Sequence, residues 1–325
     1  MKNYSIKKYE PTDYILWNAF LSKAKNATFL FYRDFMEYHA DRFQDYSLLV
    51  FEGKKLVGLL PANRMDTTVH SHQGLTYGGL ILSKNAKLYD TIEVFKSILK
   101  FLFENNITHL KLKELPSIYC ATFSDEVNYL MHICQSRFIM KHNLLVLPLK
   151  KEYVISKSRR QCINRGKENN LIIKEETNFD VFWKQLLIPN LKEKFNAVPV
   201  HTAAEIAILQ SRFPDNIRHF NVYYKEELVC GTTVFITDNV VKPQYISGNE
   251  RNNELGSLDF LYDYLIHEVS KDKEYFDFGP THENEGKNIV ASIDFWKESF
   301  GATSVVQNFY EVETKNHLLL DHVFI

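Results

Sequence analysis

One order of elements occurs twice in this chain, and it limits the fold more than any other feature. The first copy reads as a strand (Ser47 to Phe51), a charged turn (Glu52 to Lys55) and a second strand (Leu56 to Pro61). A third strand (Gly74 to Leu82), an amphipathic helix (Asp90 to Glu104) and a closing strand (Ile107 to Leu112) follow. The second copy runs Asn221 to Tyr224, a turn at Lys225 to Glu227, Leu228 to Phe235, Val240 to Gly248, a helix at Ser257 to Ser270, and Tyr275 to Phe278. Leu56-Val57 and Leu228-Val229 are 172 residues apart in a chain of 325. Both turns are polar between apolar runs, which is hairpin chemistry. Ile92, Phe95, Ile98, Leu99 and Leu102 recur at helical spacing, as do Leu258, Leu261, Leu265 and Val269. The expectation is an α/β (α+β) chain duplicated in tandem, with domains at 1–155 and 156–325. Residues 156–169 form a basic, helical connector.

Composition narrows the class. Lys plus Arg number 39 and Asp plus Glu 40, a net charge of −1, which argues against a general nucleic-acid coat. With 24 Phe and 18 Tyr the chain has ample apolar surface to bury, so disorder is excluded. The four cysteines (Cys120, Cys134, Cys162, Cys230) have neither zinc-ligand nor redox spacing and read as reduced thiols. No window is long and apolar enough for a signal peptide or a membrane span. A soluble, cytoplasmic protein without a metal is expected.

Two segments carry a family resemblance. Tyr275-Phe276-Asp277-Phe278-Gly279 and Phe295-Trp296-Lys297-Glu298-Ser299-Phe300-Gly301-Ala302 resemble the signature of FemAB-like acyltransferases of the GNAT superfamily. The connector, Lys157-Ser158-Arg159-Arg160-Gln161-Cys162-Ile163, is similar to theirs. Ser71-His72-Gln73-Gly74-Leu75-Thr76-Tyr77-Gly78-Gly79-Leu80 resembles a subgroup of nucleotide-sugar N-acyltransferases, as do Val198 to Thr202 and Arg212-Phe213-Pro214. The resemblance implies a pair of GNAT-like domains, each a mixed, mostly antiparallel sheet flanked by helices. It also implies direct attack of an amine on an acyl thioester, with acyl-CoA as donor.

That chemistry needs alignment, a neutral amine and stabilisation of an oxyanion. In this fold the donor lies between two splayed strands, with its pyrophosphate on the next helix start. By resemblance this assigns Ser247, Gly248, Asn249, Arg251 and Gly256 to the donor. The family's pyrophosphate loop is altered here, because Arg251 to Ser257 has one glycine and a carboxylate, Glu254. Trp296 stands where a tyrosine acid is usual, and an indole N–H cannot protonate a thiolate. Lys297 beside it can neutralise a thiolate or a phosphate.

Three groups compete to be the base. His70 and His72 alternate on an expected strand and so share a face. His72, with Gln73, Tyr77, Gly78 and Gly79, reads as the polar lining of an acceptor pocket, the glycines letting a ligand approach. The same residues also fit a surface strand with a glycine bulge. His201 precedes Thr202-Ala203-Ala204-Glu205, a capping box that starts a helix to Phe213 and places the imidazole near an anionic ligand. In the polar loop 280–287, Glu283 or His282 is a candidate to accept the amine proton, directly or through water, and the same residues also fit a solvated loop. Seven basic residues between Lys150 and Lys167, Arg159 and Arg160 among them, fit either a nucleotide diphosphate or a solvated helix face. Arg33 sits among aromatic residues that fit either base stacking or a core.

The expected activity is N-acylation of a nucleotide-linked amino-deoxy sugar, with acetyl or a short hydroxyacyl group. The resemblance implies a product used in cell-surface polysaccharide. His72, His201 and Glu283 are the groups expected nearest the amine, at a site between the halves. No nucleic-acid or membrane partner is expected, and a homo-oligomer fits. Two other readings stand: a Fem-type transferase using aminoacyl-tRNA, and a non-catalytic ligand-binding GNAT pair.

Overall fold

The structure, a computed structural model, describes residues 3–324. By packing it divides into Met1–His142 with Val306–Ile325, and Asn143–Val305. The break falls at 142/143, not at 155/156. The last stretch returns to the first unit because 309–313 pairs antiparallel with His109–Lys113.

The first unit holds β1 (Leu48–Glu52), β2 (Lys55–Leu60), β3 (Ile81–Leu82), α1 (Leu88–Glu104) and β4 (His109–Lys113). β1 and β2 form the expected hairpin, closed from Glu52 to Lys55. α1 buries Ile92, Phe95, Ile98, Leu99 and Leu102, the stripe its spacing predicts. The strand expected at Gly74 to Leu82 forms only over its last two residues, against Leu59 and Gly58. Upstream, His72 adopts a left-handed φ of +72°, which no strand accommodates. The strand carrying His70 ends there, so His70 and His72 are not two positions on one strand face.

In the second unit the connector is helix α2 (Lys157–Glu168), capped by Ser156, whose hydroxyl accepts the Arg159 N–H at 3.2 Å. α3 (Ala203–Arg212) begins with the expected box, Thr202 and Glu205 each bonding the other's backbone. The repeat follows as β5 (Ile217–Tyr224), β6 (Glu227–Ile236), β7 (Val240–Gly248), α4 (Ser257–Tyr264) and β8 (Tyr275–Pro280), and then α5 (Ala291–Glu298). Lys225 and Glu226 both have positive φ in the two-residue β5–β6 turn, a geometry matched to strand twist. α2 lies directly on α4. A Cβ at Gly256 would sit 2.2 Å from the Cys162 carbonyl oxygen, so this left-handed position (φ +68°) admits only glycine.

Candidate active site

β7 and β8 are parallel but share only two pairs, Val240 with Tyr275 and Val241 with Phe276. Past them β7 stays with β6 as far as Gly248, while β8 stays with 144–148, its partner on the other edge from Tyr275 onward. The strands fork, and Lys242 and Asp277 are the first residues beyond the last pair. Lys242 Nζ donates to Asp277 Oδ2 at 3.0 Å, with the carboxylate side chain 1% exposed. Asp277 Oδ1 accepts the Gly279 N–H at 2.7 Å, which holds Gly279 at a φ of +75°.

α5 brings a second lysine to the fork. Trp296 and Phe300 pack on Tyr262 and Phe278, anchoring the helix to the core. Lys297 is buried and donates to the carbonyls of Gly279 at 2.9 Å and Pro280 at 3.1 Å. Burial, with repulsion from Lys242, lowers its pKa to about 7 against the pull of Asp277 and Asp294. A lysine so placed exchanges a proton near neutrality.

The same sheet face carries a second polar group. Phe235 pairs with Lys242 and Thr233 with Tyr245, across an irregularity that keeps Lys242 and Tyr245 on one side. His201 Nδ1 shares a short hydrogen bond with the Tyr245 hydroxyl, and the His201 N–H donates to that oxygen at 3.2 Å. The Trp183 indole donates to the His201 carbonyl at 3.0 Å, fixing the segment before α3. Ser247 Oγ donates to Leu186 O and accepts from Asn190, which also donates to Gly248 O at 2.8 Å.

The loop expected to hold pyrophosphate is engaged with itself. Arg251 pairs with Glu227 and Glu254. The Leu258 N–H, at the start of α4, donates to the Asn252 side chain at 2.9 Å. Asn249 donates to Glu227 and accepts the Arg251 N–H. Of the connector's cations, Arg159 faces inward. Arg159 bonds Asp259 and Ser299, and the Trp296 indole donates to the same Asp259 oxygen at 2.7 Å. Arg165 reaches Asn253 O at 2.5 Å, and Arg160 is exposed. Glu283 lies exposed in a short hairpin, and the neighbouring His282 Nε2 accepts the Asn143 N–H at 3.2 Å.

In the first unit the 71–80 loop is packed by its own chain. Gly78 donates to Lys113 O at 2.7 Å, and a Cβ there would fall 1.6 Å from the Ser71 carbonyl oxygen, so no ligand approaches through it. Gln73 is bonded twice to Asn63. Tyr77 packs between Phe31 and Tyr119. Gly79 has a φ of +101°. Arg33 is buried against Asp45, Glu37 and Ser47, with its guanidinium over Tyr9. His72 is buried, and burial first and His39 second lower its pKa to about 3. Burial thus favours the neutral imidazole at His72.

Sequence reasoning assigned no side-chain role to Lys242, Asp277, Tyr245 or Asn190, although Tyr245 and Asp277 lie on strands it gave to the donor. The available signal was an isolated Lys or Asp inside an apolar run, Val240-Val241-Lys242 and Phe276-Asp277-Phe278, since a buried charge needs a partner. Among the described residues, no group of three or more His, Cys, Asp or Glu is arranged to hold a metal ion. None of the described helices is long and apolar enough to cross a membrane.

No protein-family model matches the sequence, and no curated protein does. Solved structures do match the fold. FemX aligns over 97% of this chain and 99% of its own, with a TM-score of 0.65 at 9% identity. L-PGS from Bacillus licheniformis aligns over 97% and 96%, with a TM-score of 0.61 at 12% identity. The C-terminal domain of a putative lysylphosphatidylglycerol synthetase from Agrobacterium fabrum aligns over 81% and 84%, at 0.54 and 11%. At these identities the likeness establishes the fold alone, the mixed α/β fold that FemX and L-PGS share.

Proposed function

We propose that this protein is an N-acyltransferase that works by direct attack of an amine on an activated acyl carbon at the fork between β7 and β8. The observation that carries this reading is Lys297, a buried ammonium of lowered pKa at the mouth of that fork. The amine lone pair forms the new C–N bond, and collapse of the tetrahedral intermediate breaks the bond to the leaving group. The electron pair goes to the leaving atom, which takes a proton from Lys297; the amine proton leaves through the Tyr245–His201 pair. Lys297 then regains a proton from solvent.

The acceptor is assigned as a nucleotide-linked amino-deoxy sugar on the resemblance of 71–80 and 198–202. The donor is assigned as a coenzyme A thioester, acetyl or short hydroxyacyl. Because Arg251 and the Leu258 N–H have partners already, its diphosphate would lie outside the 249–257 loop. That same closed loop favours a second reading, a Fem-type transferase whose donor is an aminoacyl ester of tRNA. The likeness to FemX supports the same reading.

The test offers the purified protein a panel of acyl-CoAs with amino-deoxy sugar nucleotides and measures free thiol with time. Amine-dependent release is expected for one pair. Release with none, together with tRNA binding that weakens steeply as salt rises, replaces the first reading by the second. Neither signal leaves a ligand-binding pair without catalysis.

A further inference from the structure

Two buried lysines and one buried aspartate meet at Gly279, and their arrangement assigns work to two residues outside the acyl-transfer step itself. Asp277 uses both carboxylate oxygens, one on Lys242 Nζ and one on the Gly279 N–H. The second bond fixes the left-handed turn at Gly279, which presents its carbonyl to Lys297 Nζ. Lys242 lies on the other side of the same residue, its Nζ 3.0 Å from where a Gly279 Cβ would stand. Lys297 thus has a like charge and an opposite charge held against one glycine.

We propose that Lys242 and Asp277 are positioning residues that set the proton state of Lys297. Asp277 fixes the acceptor carbonyl and attracts the ammonium, while Lys242 opposes its charge. This rests on the reading of Lys297 as the proton donor to the leaving group. The charged groups facing Lys297 are Lys242 from β7, Asp277 from β8 and Asp294 from α5 itself, the last bonded by the Thr281 hydroxyl. Removing one charge at a time therefore moves the lysine in opposite directions. Without Lys242 the repulsion is lost and Asp277 is left uncompensated, so the ammonium is favoured. Without the Asp277 charge the attraction is lost and Lys242 is left uncompensated, so the neutral amine is favoured.

The experiment follows the lysine ε-carbon by NMR through a pH titration of the full chain, the Lys297 signal being assigned by its absence in Lys297→Met. Wild type is expected to titrate near neutrality. Lys242→Met should raise the midpoint by about 1 to 2 pH units, and Asp277→Asn should lower it by a similar amount. Asparagine keeps an oxygen for the Gly279 N–H, so this variant retains the turn if Lys242→Met fails to fold. Lys242→Arg, which keeps the charge, should leave the midpoint in place. Midpoints unmoved in the folded variants, or moved in the same direction by Lys242→Met and Asp277→Asn, overturn the proposal. Opposite shifts in a protein that acylates nothing would uphold the charge setting and sink only the enzymatic reading.

Discussion

The two units carry the same order of elements but finish the fork between their third and last strands in different ways. In the first unit β3 has two residues, and β4 pairs with Thr68–His70 instead. Backbone fills the space: the Lys113 N–H donates to Ser71 Oγ and its carbonyl accepts Gly78. In the second unit β7 and β8 do pair, for two residues, and charged side chains occupy the fork beyond them. The fork is thus closed by backbone and the Ser71 hydroxyl in one unit and furnished with titratable groups in the other. Buried charge with a shifted pKa is held at the fork of the second unit.

The largest expected effect compares one lysine from each fork. Lys113 is partly buried, burial lowers its pKa to about 8, and it donates to Leu75 O at 2.6 Å. Lys297→Met should lower turnover by about 10² to 10³ by removing the charge that meets the leaving group. Lys113→Met should leave turnover within about threefold of wild type. Equal losses in the two variants would break the comparison and place reacting groups in both units.

A second effect contrasts the glycines. An alanine methyl at Gly78 collides with the Ser71 carbonyl carbon at 2.7 Å and oxygen at 1.6 Å, both rigid backbone. At Gly279 it meets the end of Lys242 at 3.0 Å, which can swing aside, and the remaining cost is the positive φ. Gly78→Ala should cost about 3 kcal/mol or more and Gly279→Ala about 1 to 2 kcal/mol, read from urea midpoints. The reverse order would mean that the first fork is not packed shut.

What could be read from the sequence was what neighbours in sequence decide. The β1–β2 and β5–β6 hairpins, the stripe of α1, the α2 connector and the Thr202–Glu205 box all rest on contacts within a few residues. The strand expected at Gly74 to Leu82 forms only at its end because the path from Ser71 onward is set by Lys111, Lys113 and Asn26, which are distant in sequence. The left-handed residue near the start of that path is a histidine, which gives no warning of a turn. Lys297 was legible through its place beside Trp296. Lys242 and Asp277 were legible only as lone charges beside apolar residues; their pairing was not, since 35 residues separate them and only the pairing of β7 with β8 brings them together. Arg33, Arg159 and Arg251 looked like ligand-binding cations, and each instead has carboxylate partners within its own unit. Sequence shows a charge but not whether the fold has already answered it.

The effect smallest at any one pH step separates the two copies by the pH at which each strains the fold. The His72 pKa falls from 6.5 to about 3 on folding, so between those values the unfolded chain binds more protons and stability drops as pH falls. Lys297 falls from 10.5 to about 7, so across that window the unfolded chain again binds more protons and stability rises with pH. Each group contributes a slope of at most about 1.4 kcal/mol per pH unit inside its own window. His72→Asn should flatten the acid limb of the stability curve and leave the alkaline limb alone, while Lys297→Met should do the opposite. Urea unfolding from pH 4 to 10 reads both limbs at once. An acid limb that persists in His72→Asn would assign it to another group, of which buried His219, with a pKa lowered to about 4 in the second unit, is the leading one. In that case acid sensitivity would lie in the same copy as the charged fork, and the first unit would be the less charge-strained of the two throughout.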